Sequence, residues 1–362
     1  MKAFLLRHRV PLILLLAAPL TFLLPRYGII NPYLELVLKY IGINIILTVS
    51  LNLINGYMGE FSVGHAGFMA IGAYAGALLT VHVIPRGLGP WLFPVALLGG
   101  GFAAAIAGLA IAFPSFRTRG DYLAIVTLAF NMIVKSGLEN IPAVGGPQGL
   151  MGIDKLTTLP WVYLWVVIAI VLARNVIYSR HGRGVLAIRE DETAAELVGV
   201  NSRRVKVLIF VFSASLAGIA GALFAHELQF INPRSFTILK STEMLVMVYL
   251  GGVASLGGSI LGAAVFTTVM EALRPALQWL HISPEWRLAV APLFLILLML
   301  LRPRGIMGHR EFGFLLPAEY RRQRAEPRGP EGPRGPGHPG PADDGRSWKS
   351  RPTRTDDTEV IV

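Results

Sequence analysis

The sequence predicts an all-α, polytopic membrane protein of about ten transmembrane helices, followed by a disordered polar tail. Composition comes first. Hydrophobic residues fill 53% of the 362 positions, charged residues only 15%, and mean hydropathy is +0.56. A soluble domain carries about a quarter charged residues. Second, apolar runs recur at 10–25, 34–54, 61–84, 90–113, 121–138, 160–178, 207–229, 241–252, 257–274 and 286–301, and a bilayer core takes about 20 such residues per helix. Third, the net charge of +11 is concentrated in a few inter-span loops and the tail, where the positive-inside rule places it. The charge therefore reads as topology and contact with membrane lipid, not as a nucleic-acid surface. The absence of cysteine removes disulfides, iron–sulfur clusters and thiolate zinc sites.

Residues 1–33 form a first region. Lys2, Arg7 and Arg9 precede the run Val10–Leu24, which resembles a signal peptide without a small-x-small cleavage site and so reads as an uncleaved first span leaving the cytoplasm. With that start, ten spans put Arg117 and Arg119, the loop 179–206 and the tail from Arg302 on one side. Both termini are then expected in the cytoplasm.

The second and third spans meet in a stretch rich in glycine from Gly56 to Gly76, with Asn52, Ser62 and His65 among apolar neighbours. Small residues let transmembrane backbones approach closely, and polar side chains at depth must face protein or a wet cavity. A glycine-interrupted helix also exposes backbone that must line such a cavity. Asn52, Ser62, Gly64, His65 and Gly67 are therefore expected on a translocation path, against plain small-residue packing with a core histidine. Further on, Asp121 suits a helix N-cap, and Gly145-Gly146-Pro147-Gln148-Gly149 supplies turns in the longest outward loop, 139–159.

The loop 179–206 begins basic (Arg180, Arg183, Arg189), turns acidic (Glu190, Asp191, Glu192) and ends basic (Arg203, Arg204, Lys206). Within it, a short helix is predicted, capped by Asp191 or Glu192 and stopped by Gly199 in a left-handed conformation. The span after it carries Ser213, Ser215, Ala217, Gly218, Ala220 and Gly221, a small-residue packing face. His226-Glu227 starts like a zinc HExxH motif, but the fifth residue is Phe230, so that reading fails. Glu243 near a span end is a path candidate if it points inward. Gly251 and Gly252 join it, because the glycine run through Gly262 mirrors the earlier hairpin and suggests a parallel internal repeat with a path between halves. From 306 to 362 the chain is Pro/Gly/Arg-rich and cannot bury enough apolar surface to fold.

Several of these stretches carry a resemblance. Ala194-Ala195, three residues and Gly199 are similar to the coupling-helix pattern of ABC importer permeases. The surrounding loop looks more narrowly like the LivM-type permease of branched-chain amino acid importers, as do the segments Gly56–Phe68, Arg119–Phe130, Gly145–Gly149 and Leu250–Ser259. Where relatives place an acidic residue near the end of the Arg119–Phe130 element, this chain has Asn131-Met132. The resemblance covers residues 34–305, the permease domain. It implies that Ala194, Ala195, Leu197 and Val198 enter a groove of a separate ATPase, with Arg189, Glu190, Asp191 and Glu192 fixing the register and Gly199 ending the helix. It further implies two ATP-binding ABC subunits, a second homologous permease and an external substrate-binding protein, in a bacterial inner membrane. The chain has no phosphate-binding loop, since no lysine follows a glycine, so ATP and Mg would be held by the partner ATPases. Leucine, isoleucine or valine is the expected cargo, with urea or short amides as the alternative.

Two readings of other classes compete. An ion-coupled secondary transporter needs buried carboxylates, for which Glu35 and Glu243 are the candidates. A membrane-embedded enzyme needs converging catalytic groups, and His65, His82, His226 and His281 show no such spacing.

Overall fold

The computed structural model describes residues 30–279 except 86, 88 and 117–121, with isolated positions on either side and residues 305–308 and 311–312. The expected first and last spans (10–25 and 286–301), Arg117, Arg119, the Asp121 cap and residues 313–362 lie outside the described residues. The chain divides into a body ending at Pro317 and a second unit from Ala318 to Val362.

All regular secondary structure among the described residues is helical, with no strand beyond one isolated bridge between Leu150 and Ile231. In order, the helices are α1 (Pro32–Asn52), α2 (His65–Leu78), α3 (Gly89–Ser115), α4 (Tyr122–Asn140), α5 (Leu159–Ile177), α6 (Arg180–Glu190), α7 (Glu192–Leu197), α8 (Ser202–Leu228), α9 (Ile238–Gly251) and α10 (Leu256–Trp279). Helix α1 runs on as a π-helical turn to Met58, and α2 as another to Val83. Among the described residues, seven stretches are long and apolar enough to cross a membrane: α1 and α2 with their π turns, α3, α4, α5, α8 and α10. The protein is thus a multi-pass membrane protein. The run expected at 241–252 is α9, whose 14 residues span about 21 Å at 1.5 Å per residue, short of the bilayer core.

Two expectations about elements need correction. The interval 179–206 holds more than the one short helix expected. It folds into α6 and α7, and the next span begins inside it at Ser202. Three side-chain caps cause this: Ser179 accepts from the Gly182 amide, Asp191 from Ala194 and Asn201 from Arg204. The third span likewise starts at His65, not at 61, because residues 59–64 are non-helical. There the Asn55 side chain accepts from the Ser62 amide at 3.2 Å and donates to the Ser62 carbonyl at 3.3 Å, taking over the bonds a helix would have made.

Helix α8 is central, packed along α1, α2 and α3. Its small face meets α2 and α3 at Gly218, Gly72 and Gly100, where a Cβ on Gly72 would collide with the Gly218 backbone. Close backbone approach of this kind is what holds membrane helices together when lipid is as apolar as leucine. The expected packing face of α8 is therefore present. The body has two ends. At one, Met58, α6, α7 and the start of α10 come together; at the other, Pro32, the loop 141–158 and the end of α8 do. Residues 142–149 form two tight 3₁₀ turns at this second end, with Gly145 at φ +87°.

Candidate functional site

At the Met58 end, α7 stands as a single capped turn and a half. Asp191, the first of the two cap candidates, accepts from the Ala194 amide at 3.0 Å. The helix closes with the Val200 amide on the Ala195 carbonyl and the Gly199 amide on the Glu196 carbonyl, each at 3.0 Å, the double bond pattern of a Schellman stop. Gly199 has φ +88°, a conformation cheap only for glycine.

The nine residues expected to couple divide into two groups. Arg189, Glu192 and Ala195 turn toward the body. The Arg189 guanidinium donates to the Gly56 carbonyl at 3.2 Å while its stem covers Gly59. Glu192 accepts from Lys206 at 2.9 Å, and Lys206 also pairs with Glu60 at 2.8 Å. Ala195 is buried. The others face outward: Glu190, Asp191, Ala194 and Gly199 are exposed, and Leu197 and Val198 are 85% and 79% exposed. Two large apolar side chains are thus displayed at the tip of an element tied by charge to the end of α1.

The expected path residues fall into three places. Asn52 is fully buried and clamps α1 to the α9–α10 junction: its amide nitrogen donates to the Ser255 carbonyl (2.9 Å) and the Ser259 hydroxyl (2.7 Å), and its oxygen accepts from the Ala254 amide (3.0 Å). Gly251 and Gly252 belong to that junction. A Cβ on Gly251 would strike the Gly258 carbonyl, and Gly252 has φ +126°. The two glycine-rich junctions of the chain therefore touch through Asn52.

Ser62, Gly64, His65 and Gly67 form the second group, between α1, α2 and α4. Gly64 lies against the Thr127 carbonyl and Gly67 against Phe130 and Asn131. His65 is fully buried with Nε2 2.7 Å from the Ser50 hydroxyl. Its Nδ1, the Ser62 hydroxyl and both side-chain polar atoms of Asn131 are buried without a protein partner. Such groups call for bound water or a ligand.

Glu243 stands apart from both groups, toward the other end. It pairs with Lys240 at 2.8 Å on the wall of a cavity of about 210 Å³ between α1, α8, α9 and α10.

Sequence reasoning missed one buried charge cluster. The Lys39 ammonium lies 2.8 Å from Glu35 and 3.2 Å from Glu227, with Lys155 3.7 Å from Glu227. The signal was available: Lys39 and Glu227 are opposite charges inside apolar runs, where an ionisable residue requires a partner. The neighbouring His226 bonds Thr80 at 2.9 Å and the Ala222 carbonyl at 2.7 Å, and packs edge-on against Phe93. It serves the core.

A bundle of spanning-length helices, glycine-packed and carrying a capped helix beyond its spans, is the architecture of a multi-pass membrane protein. Residues 33–300 match the family model described as "Branched-chain amino acid transport system / permease component". The chain belongs to that family, and so is a transport subunit, not an enzyme. It is 35% identical over 301 residues to the high-affinity branched-chain amino acid transport system permease protein LivM of Escherichia coli K12, covering 73% of this chain and 68% of that one. It is 26% identical over 288 residues to the permease protein LivH of Salmonella typhimurium, covering 74% and 91%. A probable LivM of Methanocaldococcus jannaschii is 23% identical over 275 residues, covering 65% and 80%. No solved structure matches the chain.

Proposed function

We propose that this chain is the membrane permease of an ATP-driven importer that moves branched-chain amino acids into the cytoplasm by alternating access. Its partners are two ATP-binding subunits, a second related permease and an external substrate-binding protein, assembled in a bacterial inner membrane with both termini of this chain in the cytoplasm. ATP and Mg are held by the ATPase subunits. The observation that carries this reading is the exposure of Leu197 and Val198 on α7. A surface leucine and valine side by side at a rigid, polar-rimmed tip fit a hydrophobic groove on a partner.

The anchoring explains how such a contact does work. Motion of α7 is passed through Glu192, Lys206 and Glu60 to the segment after α1, and through Arg189 to Gly56. Closure of an ATPase pair then displaces the end of α1 and, through Asn52, the α9–α10 junction. ATP shifts the two access states only by the difference in its contacts between them.

The test uses the exposed pair, because a change at buried Ala195 would disturb this chain's own packing. Leu197→Glu and Val198→Glu are expected to lower recovery of the ATPase subunits on co-purification and to reduce ATP-driven leucine uptake about tenfold or more, the effect of losing roughly 1.4 kcal/mol or more at an interface. Membrane insertion is expected to be unchanged. Wild-type uptake in both variants overturns the docking assignment.

A further inference from the structure

The cavity beside Glu243 has a chemistry that no part of the coupling machinery requires. Four charged side chains face it: Lys240 and Glu243 from α9, Glu271 and Arg274 from α10. They form two intrahelical pairs, at 2.8 Å for Lys240 with Glu243 and 3.8 Å for Arg274 with Glu271. The lining is therefore neutral overall but carries both signs on facing helices. Ile43, Met247, Phe266 and Met270 supply an apolar floor. Between the two lies an amide–hydroxyl pair, Asn44 donating to Thr267 at 2.9 Å.

From these features we infer that this cavity is a binding site for a free zwitterionic α-amino acid with an apolar side chain. The inference rests on the importer reading above and gives it a location. A ligand carboxylate has Lys240 and Arg274 to bind and an ammonium has Glu243 and Glu271, while the methionines and Phe266 offer apolar surface to the alkyl group. Each ligand charge replaces a partner that an ion pair already supplies, so a zwitterion leaves no protein charge unmatched. A ligand with a single charge leaves one protein group without a partner and so binds more weakly than the zwitterion. Exclusion of singly charged analogues is therefore built into the balance of charges.

Size and depth agree. About 210 Å³ is below the ~300–1,000 Å³ usual for drug-sized ligands and on the scale of a small metabolite. The charged rim lies at the Pro32 end, where the Tyr33 hydroxyl bonds the Glu271 carboxylate at 3.3 Å, and the floor reaches Asn44, twelve residues past Pro32 and about 18 Å inward along the helix axis at 1.5 Å per residue. The cavity runs beside α9, a helix too short to cross, the kind of element that borders transporter sites.

The natural absence of cysteine provides a test. Met270→Cys is made in the full-length chain within the complete importer, and its modification by a charged methanethiosulfonate reagent is followed by the mass of this subunit. Leucine at about ten times its dissociation constant is expected to slow modification about tenfold by mass action, whereas 4-methylpentanoate and 3-methylbutylamine, each carrying half of the zwitterion, leave the rate unchanged. Adding Glu243→Gln is expected to abolish the protection by leucine. Tyr40→Cys on the opposite wall gives the same readout should Met270→Cys fail to assemble. Equal protection by all three compounds overturns the zwitterion assignment. No protection in a preparation that takes up leucine overturns the site while leaving the importer reading intact. Failure of the native complex to take up leucine, with leucine nevertheless protecting the cysteine, overturns the importer reading and keeps the site.

Discussion

At the scale of single residues, the charges inside the apolar body do different jobs, and burial separates them. Glu227 has a side chain only 1% exposed and faces Lys39, 5% exposed, whereas Lys155 reaches it from a position 54% exposed. Removing Lys39 leaves a carboxylate deep in protein with one distant, solvated partner. Lys39→Met is expected to destabilise the purified protein by about 3–5 kcal/mol, and Lys39→Met/Glu227→Met to recover most of that loss, since deleting both members of a buried pair is far cheaper than deleting one. Unfolding in mixed detergent measures both. A double variant no more stable than the single one shows that the pair is worth more than its own burial. Only the need for a partner was legible in the chain as a string. Lys39 and Glu227 are visible as charges in apolar runs, but their pairing depends on how α1 lies against α8, and a hydrophobic run carries no information on that register. Asn52 shows the same division. Its depth was readable, and the function expected of it was a path. Its bonds to Ser255, Ser259 and Ala254, a clamp between segments far apart in the chain, were not readable.

Among elements, the seven spans of the described residues were legible and the short helices only partly so. A spanning helix announces itself by length and hydropathy, and α3, α4 and α5 begin and end within two residues of the expected positions. Helix α6 was not expected. Gly182 and Gly184 lower its propensity, and its apolar contacts, Val185 and Ile188, are too few for a clear period. The stop at Gly199 was readable because glycine there has a mechanical reason. The direction of α7 was not, since six residues make under two turns, and Ala195 proves to face inward while Leu197 faces out. The caps give this element a stability that can be tested by itself. Asp191→Ala removes the acceptor for the Ala194 amide at a cost of about 1 kcal/mol, which speeds amide exchange across 192–198 roughly fivefold. Exchange along α8 is expected to stay unchanged, because Asn201 caps that helix separately. Equal acceleration in α8 would show that the two helices open as one unit.

For the molecule as a whole, the question is what holds the coupling end together as α7 is pushed. Part of the answer follows the last described helix, at residues drawn in the sequence as the edge of a polar tail. The Ile306 amide donates to the Leu250 carbonyl at 2.8 Å and Met307 to Gly251 at 3.0 Å. The Glu311 carboxylate then accepts from the Leu256 amide at 2.6 Å, the Gly257 amide at 3.2 Å and the Tyr57 hydroxyl at 3.0 Å, and Phe312 covers Gly257. A single side chain thus caps α10, where a carboxylate meets the positive end of the helix dipole, and fastens that helix to the turn after α1. With the Asn52 clamp above it, this strap makes the α1 end and the α9–α10 junction one mechanical piece, the piece that Arg189 and Lys206 hold. The pattern hid it, because Glu311 stands beyond the last apolar run, between Arg310 and Phe312, with no helical period around it. The body and the segment from Ala318 separate at Pro317, so the two can be tested apart. Ending the chain at Pro317 is expected to leave the detergent unfolding midpoint unchanged. Glu311→Ala, which strands two buried amides and the tyrosine hydroxyl, is expected to cost on the order of 2 kcal/mol. It should also weaken the coupling of ATP hydrolysis to uptake, because α7 would then push on a looser end. If truncation lowers the midpoint as much as Glu311→Ala, the closing element is the distal segment, and the force from α7 must reach α10 by another route.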